Sequence, residues 1–249
     1  MPPEQIPKTD LEQPKILLGS LKRAQLFANL SDDEVLFFHD AAQKRAYEKG
    51  KILYIEEDPA DFFYIICTGW VKLFHITPEG EEVIVDTLTS GQTVGENAIF
   101  EFGKHTSSAE VIEDVELLVL PSHMLKEQMR FSPTLALAML SSMSRHYRRH
   151  YGEIALNAVQ NAPQRIGRFL LKLCPANQKE NIVFQLPYEK TLIAYTLGMK
   201  GATFSRALNI LREETDIRIR GSQVEIDSLD RLTGFVYGAL ASKYLPESM

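Results

Sequence analysis

The stretch from Lys49 to about Leu120 most limits what this chain can fold into. Short β-branched and aromatic runs ("KGKILYI", "DFFYIICTGWVKLFHI", "GEEVIVDTL", "SGQTVGENAIF", "SSAEVIEDVELLVL") alternate with turn signals, and glycines recur at Gly50, Gly69, Gly80, Gly91 and Gly95. Apolar runs of strand length punctuated in this way describe short strands joined by tight turns. "HITPEGEEV" reads as a hairpin connection, with Pro78 and Gly80 supplying the turn. The spacing predicts an antiparallel roll, barrel or sandwich.

The segments on either side are helical. "SDDE" (Ser31 to Glu34) is a capping box ahead of "VLFFHDAAQKRAY", while the first 15 or so residues are proline-rich, polar and expected to be mobile. Beyond the strands, Ser132 can cap a helix with Pro133 at its first position, and Pro163 is expected to stop it. The result is a helix of about 28 residues, roughly 42 Å long at ~1.5 Å per residue. Leu135, Met139, Met143, Tyr147 or His150, Ile154 and Ala158 form a narrow stripe along it. A long helix with so thin a seam is expected to bury it against a twin helix. A shorter helix, "RIGRFLLKLC", a strand, "IVFQLP", and a hairpin turning at Gly221 in "DIRIRGSQVEID" follow.

Charge divides the chain into two. Its 249 residues, enough for one large or two modest domains, carry a net charge of −6. Residues 1–163 hold 15 Lys and Arg against 24 Asp and Glu, and residues 164–222 hold 10 against 5. A basic module joined to an acidic one is an electrostatic footprint for a polyanion. Only Cys67 and Cys174 occur, too few for a cysteine-ligated iron–sulfur cluster or a structural zinc site. No apolar run reaches the length of about 18 residues that a membrane span needs, and "MPPEQIPKTDLEQPK" lacks the pattern of a secretion signal. A cytoplasmic protein without a membrane partner is expected. GxSxG, HExxH and Walker patterns do not occur, so an enzyme is not expected.

Inside the basic segment stands "EKTLIAYTLGMKGATFSRALNILREE", Glu189 to Glu214. Two short helices that cross closely need a small residue facing the second helix, and a glycine where the turn becomes left-handed. Ala194, Gly198 and the apolar Phe204 meet these demands. The second helix then projects Thr203, Ser205 and Arg206 outward, where a major groove about 12 Å wide can receive it. The following hairpin, with Arg218 and Arg220, reads as a wing able to touch phosphates.

On these parts and their order, from the glycine-studded strands through "VGENAIF" and the long helix to the winged helix-turn-helix, the chain resembles the cyclic-AMP receptor protein/FNR superfamily of bacterial transcription regulators over about residues 20 to 235. The resemblance implies an α+β chain: an N-terminal antiparallel β-roll (a cyclic-nucleotide-binding-like jelly roll), a long dimerisation helix and a C-terminal winged helix-turn-helix. The corresponding domains are an effector-sensing roll over 16–131, the helix over 132–162 and a DNA-binding domain over 163–249. It further implies a homodimer that binds a palindromic double-stranded operator and works with RNA polymerase, with activator and repressor both left open. Lys190 and Thr191 fall where the family touches phosphates, Lys200, Thr203, Ser205 and Arg206 where its recognition helix touches DNA, and Arg220 lies in the wing. Ser205-Arg206 is the end of the FNR-type motif E-x-x-S-R. Ala202 stands at the glutamate position and cannot accept a hydrogen bond from cytosine N4.

The effector positions depart from the cyclic-AMP pattern. Gly95-Glu96 matches the family's Gly-Glu pair, but Ser107-Ser108 replaces its Arg-Ser pair and His150-Tyr151 its two small hydroxyl residues on the helix. A charge-assisted hydrogen bond contributes about 1.5–3 kcal/mol, and each ~1.4 kcal/mol is tenfold in affinity. Loss of the arginine is therefore expected to remove cyclic AMP as ligand in favour of another effector. His105, His123, His146 and His150 leave haem open as that effector's cofactor, and binding with no effector is a third reading. A regulatory subunit that does not bind DNA would not need the winged helix.

Overall fold

The computed structural model describes residues 14–100, 102–174 and 179–238, so the proline-rich lead lies almost wholly outside the described residues. Its first helices are α1 (Pro14–Arg23) and α2 (Asp32–His39). The predicted capping box opens α2. Ser31 Oγ accepts from the Glu34 N–H at 3.3 Å, and the Glu34 carboxylate accepts from the Ser31 N–H at 2.9 Å. Phe27 meets Phe38 edge to face at 5.0 Å beneath these helices, a geometry that adds to simple burial.

The strands are β1 (Gln43–Tyr47), β2 (Ile52–Tyr54), β3 (Phe62–Ile76), β4 (Glu82–Thr89), β5 (Thr93–Val94) and β6 (Ser108–Pro121). They form one sheet in the order β1-β6-β3-β4, with β2 added to β6 and β5 to β3. The long strands β3 and β6 are its spine, antiparallel from Phe62↔Pro121 to Phe74↔Ser108. Both faces of the spine are buried. Phe63, Ile65, Leu118 and Leu120 pack with Leu21, Phe27 and Phe38 of the helical layer. Tyr54, Tyr64, Ile66, Val71, Val94, Ala109 and Val111 fill the inside of the roll. Strands covered on both sides read as continuous apolar runs, which is how these two appear in the sequence.

After α3 (Ser122–Gln128) comes α4 (Pro133–Val159), where Ser132 Oγ accepts from the Leu135 N–H at 3.0 Å. The stripe expected on α4 needs correction. Leu135 (0% exposed) and Met139 (2%) belong to the core beneath α1 and α2, whereas Tyr147 and Ile154 are each 70% exposed. Steps of four residues wind around a helix of 3.6 residues per turn, so the expected stripe drifts off one face. The outward-facing line is Leu137, Leu140, Ser144, Tyr147, Tyr151, Ile154 and Ala158. Its alternating steps of three and four are the a/d repeat of a coiled-coil seam.

Two compact units emerge: residues up to His75 with Thr87–Ser144, and Ile76–Asp86 with Arg145 onward. The second contains α5 (Ala162–Leu173), β7 (Glu180–Gln185), α6 (Lys190–Thr196), α7 (Gly201–Glu214), β8 (Ile217–Arg220), β9 (Gln223–Ser228) and α8 (Leu229–Tyr237). Pro163, expected to end the long helix, instead lies in the first turn of α5. Asn161 caps that turn through a reciprocal pair of 3.0 Å hydrogen bonds with Gln164. The antiparallel sheet β7-β9-β8 closes the unit. Gly167 is buried where α5 meets α7 and α8, and a Cβ there would approach Val236 Cγ2 to 2.5 Å. The basic module is thus a small helical body with a sheet at its edge.

Candidate functional site

α6 and α7 form the helix pair read from the sequence. Ile193 and Ala194 are buried on α6, and the Ala194 carbonyl accepts from the Met199 N–H at 2.8 Å. Gly198 has φ +63° between the helices and no described atom within 4 Å of its Cβ position. Its requirement is therefore backbone conformation, not space. α7 buries Phe204, Ala207, Leu208 and Leu211, which leaves Ala202, Ser205, Arg206 and Asn209 exposed on the opposite side. Lys200 is exposed just before α7, Thr203 is half-buried, and Lys190 and Thr191 begin α6. Ser205 Oγ donates to the Gly201 carbonyl at 3.0 Å, and Arg206 Nε to the Ala202 carbonyl at 3.3 Å. That second bond engages Nε and leaves both terminal nitrogens without a hydrogen bond to any described residue. Lys190, Lys200, Arg206 and Arg220 make no ion pair with any described residue.

The wing departs from expectation at one residue. Arg218 is held by its own hairpin, with Nε donating to Glu225 at 3.1 Å and its two terminal nitrogens to Asp227 at 2.9 and 2.6 Å. Arg218 and Glu225 are directly opposed in the β8–β9 register, so the alternation that exposes Arg218 puts its half-buried partner on the same face. The hydrogen bonds it donates to Asp227 and Glu225 raise its pKa above the ordinary arginine value. Arg220, exposed beside the turn at Gly221, is the wing cation left for a polyanion.

The residues expected in the effector pocket lie in different units, Gly95, Glu96, Ser107 and Ser108 in the first and His150 and Tyr151 in the second. Gly95 has φ +84°, and a Cβ there would lie 2.9 Å from His105 Cε1 and 3.4 Å from Tyr54 Cε1. The His105 ring stacks on Tyr54 with centroids 3.5 Å apart and planes 6° apart. Burial pushes this imidazole down to about 4, against nearby Asp58 and Asp61, so it is neutral at pH 7. Burial raises the Glu96 carboxyl, opposed by a hydrogen bond with the Thr93 side chain. Ser107 is half-buried, and Ser108 Oγ accepts from the Glu56 N–H at 3.0 Å. The roll's buried cation, Lys72, lies 3.0 Å from the Glu110 carboxylate.

In the second unit His150 Nε2 lies 3.7 Å from Asp86, which Arg149 also binds, and Tyr151 stacks on Tyr147 at 6.1 Å. Among the other histidines considered for haem, His123 is exposed and His146 half-buried beside His150. Sequence reasoning had no signal for the Tyr54–His105 stack, which joins distant parts of the chain, or for the carboxylates that hold Arg218.

Comparison with known proteins bears on both units. The family model described as a cyclic nucleotide-binding domain matches residues 44–130, and the Crp-like helix-turn-helix domain matches residues 164–235. This chain belongs to the cyclic-AMP receptor protein/FNR superfamily. Among superfamily members, it is 28% identical over 218 residues to the cyclic AMP receptor protein of Thermus thermophilus, covering 88% of this chain and 99% of that one. It is 26% identical over 193 residues to the fumarate and nitrate reduction regulatory protein of Escherichia coli K12, with 76% and 77% covered. A solved structure from Ruegeria pomeroyi DSS-3, named for cyclic nucleotide binding, superposes with TM-score 0.65 at 28% identity, covering 89% of this chain and 97% of the other. The chain is thus a DNA-binding transcription regulator of this superfamily, with a sensor domain of the cyclic-nucleotide-binding kind. No described helix is long and apolar enough to cross a membrane.

Proposed function

We propose that the chain works as a homodimeric regulator that reads a palindromic operator through α7 and whose roll answers to an effector other than cyclic AMP. The observation that carries the DNA reading is the exposed α7 face, where Arg206 offers two guanidinium nitrogens without a described partner, together with the unpaired cations Lys200 just before α7 and Arg220 in the hairpin. Arginine's fork matches guanine O6 and N7, while Lys190 and Thr191 at the start of α6 suit phosphate oxygens. The exposed a/d line of α4 supports pairing with a second copy, which two-fold operators require. On this reading the sensor roll spans 16–131, the dimerisation helix 132–162 and the DNA-binding domain 163–249, with RNA polymerase as the downstream partner.

Three features argue against cyclic AMP. Ser107 stands at the family's arginine position, and Ser108 Oγ is engaged by the Glu56 backbone. His105, stacked on Tyr54, covers the Gly95 turn from which Glu96 would reach a ribose. A phosphate entering beside Glu96 would meet a buried carboxyl, with Ser107 in place of the family's arginine. Calorimetry with cyclic AMP is expected to show no binding tighter than about 10 μM, in keeping with the tenfold cost of each ~1.4 kcal/mol lost. Binding to mixed-sequence duplex DNA is expected to weaken steeply as salt rises. Sub-micromolar binding of the nucleotide would overturn the effector reading, and salt-insensitive DNA binding would overturn the regulatory one.

A further inference from the structure

The exposed line along α7 extends one turn beyond the residues that the family motif covers. Ala202, Ser205, Arg206 and Asn209 are all exposed and share one face, at helical spacings i, i+3, i+4 and i+7. A helix lying along a major groove presents base-reading side chains at these spacings. Within the line the groups differ. Ala202 has nothing to donate or accept, the Ser205 hydroxyl proton is given to the Gly201 carbonyl, and Arg206 is anchored by Nε. Asn209 makes no side-chain hydrogen bond with any described residue. It therefore carries a free carbonyl acceptor and two amide donors out of the helix.

We infer that Asn209 is a specificity-determining residue that reads an adenine through its N6 and N7 edge. This inference rests on the proposed DNA reading and deepens it. A carboxamide matches that edge in a bidentate way, as a guanidinium matches guanine. Asn209 is three residues beyond Arg206, about 4.5 Å along the axis at ~1.5 Å per residue. Successive base pairs are ~3.4 Å apart, so the two side chains address neighbouring or next-neighbouring pairs. Specificity that the alanine at 202 forgoes at the start of α7 is recovered further along it. The half-site then holds a G·C pair read by Arg206, with an A·T pair one or two steps away read by Asn209.

The experiment selects sites from a randomised duplex library with the intact wild-type protein. It then measures competition by every single-base variant of the selected half-site against wild type, Asn209→Ala and Arg206→Ala. Expected is an Asn209→Ala profile in which one A·T position loses its roughly 5- to 150-fold preference while the Arg206 position keeps its own. Asn209→Asp, which cannot donate to adenine N7, is expected to lose preference at the same position. An Asn209→Ala profile that matches wild type, or one that is weaker by the same factor at every position, overturns the inference while leaving the DNA reading intact. A wild-type protein that selects no sequence overturns both. Circular-dichroism melts confirm that each variant is folded, as expected for an exposed position.

Discussion

On the proposed reading Arg206 and Lys190 carry the same charge but face different parts of a duplex, and their substitutions should separate accordingly. Arg206→Ala is expected to weaken the selected site by about 1–3 kcal/mol and to flatten preference at one base pair per half-site. Lys190→Ala should weaken all duplexes alike and lessen the salt slope by about one per protomer. Fluorescence anisotropy on selected and scrambled DNA across a salt series distinguishes the two. Exposure of Arg206 was legible in the sequence, because helical periodicity fixes which side faces out once the apolar side is known. The tie between Arg218 and Asp227 was not, because it depends on strand register. His105 makes a second test at this scale. Its folded pKa of about 4 lies below the ordinary 6.5, so the unfolded chain takes up the proton first. Stability from its neutral, stacked state is complete above pH 6.5 and is lost as pH falls toward 4, by up to about 3 kcal/mol. Glu96, raised by burial, acts with the opposite sign. The difference between urea melts of wild type and His105→Gln, followed from pH 7.5 to 4.5, isolates the histidine. A difference that does not change with pH would contradict the buried imidazole.

Helix α4 shows what an element reveals in sequence and what it hides. Its start was readable because Ser132 and Pro133 form a local signal, and the strands of the roll were readable because glycine turns bound their apolar runs. The start of α5 was missed because a proline marks the beginning of a helix as readily as the end of one, and only the Asn161–Gln164 pairing decides between them. The expected stripe began on core residues because Leu135 and Met139 look like any other apolar pair until α1 and α2 are seen to cover them. The corrected line makes a sharp prediction. Ile154→Glu, at an exposed d-type position, should move the dimer toward monomer by about 3 kcal/mol or more across two copies. Sedimentation equilibrium at micromolar concentration measures the shift. A variant that stays as dimeric as wild type would remove this line from the interface.

At the scale of the whole molecule, the acidic N-terminal two-thirds and the basic segment 164–222 separate sensing from polyanion contact. In the proposed homodimer, with Lys190, Lys200 and Arg220 each meeting one phosphate, about six are neutralised, and log Kobs should fall against log salt with a slope of about −5. Filter binding between 50 and 300 mM salt tests this, and a slope near −2 would mean that most of these cations do not reach the backbone. The fourth cation of this set, Arg218, is withheld, because the hairpin supplies carboxylates of its own at 2.6 to 3.1 Å. Random sequence retains a protein almost wholly through phosphates. Each cation kept from the backbone therefore shortens the dwell on irrelevant DNA while the groups that read base edges are untouched. A genome presents millions of wrong sites for every right one, and a regulator that lets go of them sooner covers more sequence in a given time. On the proposed DNA reading, the wing's internal clamp thus quickens the search.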